Sequence, residues 1–121
     1  MAVKIHFFVN FNKMIIFAET MIGMDIIFDK DYLKELYVTG KTSDKKHRYQ
    51  PQIINKYVRV IDIMMSLPDT LSLMKINSLN YEKLKGDKKG LSSVRVNDQY
   101  RIEFEEYTVD GQSIATINGV V

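Results

Sequence analysis

Two spacings of hydrophobic residues divide the chain. Between Pro51 and Pro68, Ile54, Tyr57, Val58, Ile61, Met64 and Met65 recur at offsets of 0, 3, 4, 7, 10 and 11. That period marks one face of an amphipathic helix. Proline suits the first helical position, and Pro68 ends the segment. A shorter helix is predicted through DKDYLKELYVT, capped by Asp29, with Leu33, Leu36 and Tyr37 on one face and Gly40 as its stop. After Leu79 the period falls to two. Val94 and Val96 alternate with Ser93, Arg95 and Asn97, and Tyr100, Ile102 and Phe104 alternate with Arg101, Glu103 and Glu105. Both runs read as half-buried strands. MDIIF at 24–28 reads as a leading strand, and Asp110-Gly111 as a hairpin turn into a last strand, SIATINGVV. The predicted fold is α+β: two N-terminal helices packed on a small antiparallel meander sheet.

The register of the central hairpin can be derived from its pattern. A two-residue turn at Asn97-Asp98 would pair Arg95 with Tyr100 and mix the two faces. A loop of Asn97, Asp98 and Gln99 pairs Val96 with Tyr100 and Val94 with Ile102, so both apolar sets share a face. A slip of one residue would invert every side chain, so the hydrophobic pattern selects the second register. It also sets Arg95 opposite Arg101, a repulsive pair that Glu103 (diagonal to Arg95) or a bound anion would relieve.

Composition narrows the classes. One domain of 121 residues, 45% hydrophobic and 26% charged, lies in the ordinary globular range. The chain has no cysteine, which excludes disulfides and thiolate metal sites, and His6 and His47 lie far apart, so no metal site is indicated. Residues 1–23 are apolar-rich but interrupted. Their longest apolar run, MIIFA, has five residues, against the roughly 20 of a membrane helix. A soluble cytoplasmic protein is expected. Residues 1–23 read as an extension, either an added strand or sequence upstream of a start at Met24, with the domain proper spanning 24–121.

Charge is informative only where it clusters. From Lys83 to Arg101, six cations (Lys83, Lys85, Lys88, Lys89, Arg95, Arg101) face Asp87 and Asp98, a local +4 against +2 for the whole chain. Gly86 and Gly90 let the backbone turn tightly and a ligand approach. The G-x-x-x-x-G-K-[ST] spacing is absent, so this is not a nucleotide-binding P-loop. A lysine-rich glycine loop beside arginine-bearing strands suits phosphate, hence nucleic acid. A solvated basic surface fits the same residues. The connection KTSDKKHR at 41–48 carries the same two readings, solvated turn or nucleic-acid contact.

Leu84-Lys85-Gly86-Asp87, Lys89-Gly90, Ser93-Val94-Arg95-Val96-Asn97 and Tyr100-Arg101-Ile102-Glu103-Phe104 resemble, in order and spacing, the core signature of HigB-like toxins. These belong to the RelE/ParE superfamily of bacterial type II toxin-antitoxin systems. The resemblance extends more loosely from Met24 to Val121. It implies an endoribonuclease, without metal or cofactor, that cuts mRNA in the ribosomal A site. It also implies inhibition by a HigA-like helix-turn-helix antitoxin, with operator DNA reached only through the toxin-antitoxin complex.

Cleavage by a 2′-hydroxyl needs a base, an acid and cations for the phosphorane. By motif position Lys85 and Arg101 resemble the catalytic pair, and Lys83, Lys88, Lys89 and Arg95 would contact the RNA backbone. This sequence departs from the family in two places. Glu82 stands where many members have a histidine. The family's Asn-His-Tyr or Asp-Tyr-His tail would come after the last strand, where this sequence stops, and neither His6 nor His47 matches it. An alternative is therefore a catalytically incomplete toxin-fold protein that binds antitoxin, gyrase or RNA. A further one is a free-standing basic RNA-binding protein.

Overall fold

The computed structural model describes the backbone of residues 5–9 and 14–18 and the whole of residues 23–121. Of the extension expected over residues 1–23, residues 1–4, 10–13 and 19–22 lie outside this set. Among the described residues the strands are β1 (Ile5–Val9), β2 (Met14–Ala18), β3 (Asp25–Phe28), β4 (Glu82–Lys83), β5 (Ser92–Arg95), β6 (Arg101–Val109) and β7 (Gln112–Val120). They form one sheet in the order β1-β2-β3-β7-β6-β5-β4. The helices are α1 (Asp31–Thr39), α2 (Pro51–Ser66) and α3 (Thr70–Met74). The α+β class is as the sequence predicts, but the sheet is mixed: β4 to β7 form an antiparallel meander, whereas β3 runs parallel to β7. A parallel pair requires a crossover, and α1 and α2 belong to it.

Alternation along the strands builds the core. Ile26, Phe28, Val94, Ile102, Phe104, Ala115 and Ile117 are all fully buried, together with Leu33, Leu36, Tyr57, Ile61 and Met64 from the helices. The buried stripe of α2 is Ile53, Tyr57, Val60, Ile61 and Met64, with Ile54, Val58 and Met65 only partly covered. The sequence pattern therefore locates the helix but sets its inner face about one residue off. The α1 cap also differs. Asp29 donates its amide to Ile117 and so continues the strand ladder, and Lys30 takes the cap position without a side-chain cap bond. Gly40 closes α1 at φ 75° with its amide on Leu36. No helix among the described residues is long and apolar enough to cross a membrane.

Two hairpins set up the site. Asp110 and Gly111, at φ 51° and 80°, form the tight turn joining β6 to β7, where Val109 pairs with Gln112. In the β5–β6 hairpin Val94 pairs with Ile102 and Arg95 with Arg101, and the Val96 amide donates to the Tyr100 carbonyl. That is the register selected by the hydrophobic pattern.

Candidate nucleic-acid interface

The sheet face turned away from α1 and α2 carries polar side chains at its β4–β6 end. Across the strands Glu82 pairs with Ser93, and Ser93 with Glu103. Arg95 and Arg101 form the next row on that face, since side chains two apart along a strand point the same way.

Arg101 is the best anchored cation of the group. Its Nε donates to Ser93 Oγ at 2.9 Å, and one terminal nitrogen donates to the Asn80 carbonyl at 2.6 Å. Asn80 lies in the left-handed region at φ 45°, a conformation open to asparagine. Among the described residues none of Arg101's partners is a carboxylate, so its positive charge remains available to an anion. Arg95 instead pairs with Asp98 in the turn. Among the described residues neither arginine pairs with Glu103 or Glu105.

Glu103 is engaged from the glycine loop. Lys88 Nζ lies 2.7 Å from Glu103 Oε2, the lysine half-exposed and the carboxylate nearly buried. Gly86–Lys88 forms a short 3₁₀ turn that opens on Gly86 at φ 67° and is followed by Gly90 at φ 100°. At its base the Leu84 amide donates to the Leu91 carbonyl at 2.9 Å. The loop is thus closed at its neck and tied to the sheet through Lys88.

The remaining cations are placed less uniformly. Lys85 precedes the 3₁₀ turn with extended backbone, and Lys85 and Lys89 are both exposed. Lys83 pairs with Ser92, whose hydroxyl lies 3.3 Å from Tyr81 Oη on the helix side. Alternation puts the Lys83 Cβ on that side too, opposite to Ser93 and Arg101. Among the described residues no carboxylate pairs with Lys83, Lys85 or Lys89.

Three features of the face are not evident from the sequence. Alternation makes Ser93 an outward strand position, yet it is 1% exposed beneath Arg101. Asn80 contributes a backbone carbonyl, for which residue type carries no signal. Glu82, in sequence only a departure from a motif, is an exposed carboxylate in the Ser93 row. Below the edge strand, Tyr81 Oη donates to Glu106 Oε1 at 2.6 Å. Burial, reinforced by that carboxylate, pushes the Tyr81 phenol up to about 12. His47 lies away from this face: its ring stacks on Tyr32 of α1 at 3.6 Å, and its Nδ1 is 3.0 Å from Asp44 Oδ2. No cluster among the described residues could hold a metal ion.

A family model described as RelE-like toxin of type II toxin-antitoxin system HigB matches residues 26–117. Toxin HigB-1 of Vibrio cholerae serotype O1 is 33% identical over 94 residues, covering 77% of this chain and 93% of that protein. The glycine loop and both arginines lie inside the matched span.

Proposed function

The chain belongs to the HigB family of RelE-like type II toxins, and from that premise we propose that it is a ribosome-dependent mRNA endonuclease that stops translation. It acts in the cytoplasm and is silenced by a helix-turn-helix antitoxin, through which it reaches operator DNA. The observation that carries this reading is Arg101: a guanidinium held in place by Ser93 and Asn80, with no carboxylate partner among the described residues, on the sheet face turned away from α1 and α2.

In the proposed reaction the 2′-oxygen attacks phosphorus, the bond to the 5′-oxygen breaks, and a cyclic phosphate and a 5′-hydroxyl result. Arg101 stabilises the charge on the phosphorane, and such preorganised donors are a large share of catalysis in dry sites. Lys85 adds charge or hands a proton to the 5′-oxygen. Glu82, an exposed carboxylate in the Ser93 row, is suited to accept the 2′-proton, a role that needs no histidine. Lys89 and Arg95 flank the message and contact its backbone, and Lys88 joins them from its place on Glu103; Lys83, whose Cβ lies on the opposite side of the sheet, is left out of this set.

The test is cleavage of a defined message on programmed ribosomes. Arg101→Ala and Lys85→Ala should each strongly lower cutting while the fold persists; unchanged cutting in both would falsify the assignment. A second reading, a binding protein of toxin fold without catalysis, is favoured by the packing of His47 against Tyr32 on the helix side. Antitoxin binding without any ribosome-dependent cleavage by the unaltered chain would favour it.

A further inference from the structure

A second feature lies on the helix side, away from the arginine face. A cavity of about 500 Å³ opens between the end of α1, the connection after Gly40 and the first turns of α2. Leu36, Pro51 and Ile54 supply apolar walls, and Lys41 and Arg48 line it from the connection. Volume and lining suit one or two apolar side chains held by polar groups at the rim.

Its electrostatics favour an anionic occupant. Lys41, Lys45, Lys46 and Arg48 face one acid within the connection, Asp44. That acid is already engaged, accepting from the Lys46 amide at 2.9 Å and lying 3.0 Å from His47 Nδ1. Among the described residues no carboxylate pairs with the four cations. The first turn of α2 contains no acidic residue, and its cap makes no side-chain bond. The helix therefore adds its own partial positive charge at the cavity.

The aromatic groups decide between nucleic acid and protein. Single-stranded RNA binds on open ring faces. Here the Tyr49 ring packs edge-on against Tyr100 at 5.3 Å and its hydroxyl donates to the Val120 carbonyl. One face of His47 is covered by Tyr32 at 3.6 Å. Stacking surface is thus largely spent, while aliphatic surface is free. The same contacts tie the connection to α1 and the sheet, so the cavity is preformed.

We propose that this cavity docks an acidic segment of the antitoxin, with one apolar side chain against Leu36, Pro51 and Ile54 and flanking carboxylates on Lys41 and Arg48. The proposal rests on the toxin-antitoxin reading, but it concerns binding and is independent of cleavage. It implies that the antitoxin grips the toxin here as well as, or instead of, covering the arginine face.

The experiment measures the affinity of the purified antitoxin for the toxin by calorimetry across a salt series, and cleavage by the free toxin in parallel. The double variant Lys41→Glu/Arg48→Glu should bind at least tenfold more weakly and with a shallower salt dependence, while cleavage is unchanged. Ile54→Asn should weaken binding with the salt slope kept. Unaltered affinity in both variants overturns the proposal, as does loss of RNA binding in place of antitoxin binding. Amide hydrogen exchange on the unaltered protein covers the case of poor folding: antitoxin must protect residues 36–55, and protection confined to the arginine face overturns the docking site. Absence of cleavage by the free toxin would instead sink the ribonuclease reading and leave these outcomes legible.

Discussion

Arg95 and Arg101 stand directly opposite each other across two antiparallel strands, yet each is drawn to a different acceptor. Arg95 turns to Asp98 in the hairpin loop, and Arg101 to Ser93 and the Asn80 carbonyl. Like charges opposed in a sheet destabilise by a fraction of about 1 kcal/mol, so separate partners offset the repulsion. The outcome is asymmetric: Arg95 pairs with a carboxylate, whereas among the described residues Arg101 has no acidic partner.

That asymmetry predicts unequal mutants. Arg101→Ala should lower cleavage by about 100-fold or more, the usual scale for removing one preorganised donor at a developing oxyanion. Arg95→Ala should lower it severalfold, mainly through KM. Single-turnover cleavage on programmed ribosomes separates the two, and equal losses would place both arginines at the phosphate.

The Lys88–Glu103 bond supplies a stability prediction. Lys88→Ala leaves a nearly buried carboxylate without its partner. Removing one member of a fully buried pair costs about 3–5 kcal/mol. The exposure of Lys88 reduces this to roughly 1–2 kcal/mol. Urea denaturation should show it, and adding Glu103→Gln to Lys88→Ala should recover most of the loss.

Gly23 sits where no side chain fits. A Cβ there would lie 1.5 Å from the Met65 carbonyl oxygen at the end of α2, and the adjacent Met24 amide donates to Leu67 at 2.8 Å. Gly23→Ala must push β3 away from α2, at a cost of about 3 kcal/mol. Thermal unfolding should register a clear fall in Tm. Gly86→Ala meets open space and only the strain of its positive φ, about 1–2 kcal/mol. A Tm loss from Gly86→Ala equal to that from Gly23→Ala would contradict this ordering.

Alkaline titration offers a test of burial. Tyr49 and Tyr81 are each pushed up to about 12 from an ordinary 10.0, chiefly by burial. A pKa raised on folding means that the neutral phenol is favoured in the native state. Its contribution is fully present below about pH 10 and is lost as pH rises through about 12. Ultraviolet titration should show delayed tyrosinate formation in the folded protein, and Tyr81→Phe should remove part of the delayed band.

The sequence alone determined the hydrophobic periods and the strand parity they impose. Apolar spacing located α2 and the paired strands, and Asp110-Gly111 marked the β6–β7 turn. The requirement that Val94 and Ile102 share a face placed Arg95 against Arg101. These are local properties, repeated every two or three to four residues. The five-residue α3 is too short to show a period. Tertiary structure decided which long polar side chain met which partner: Lys88 with Glu103, and Arg101 with a carbonyl 21 residues away. It also decided that β3 joins β7 in parallel and that the basic connection walls a cavity. Lysine and arginine carry no directional pattern in sequence. Their reach spans several candidate partners, and only packing of the loops and helices selects one.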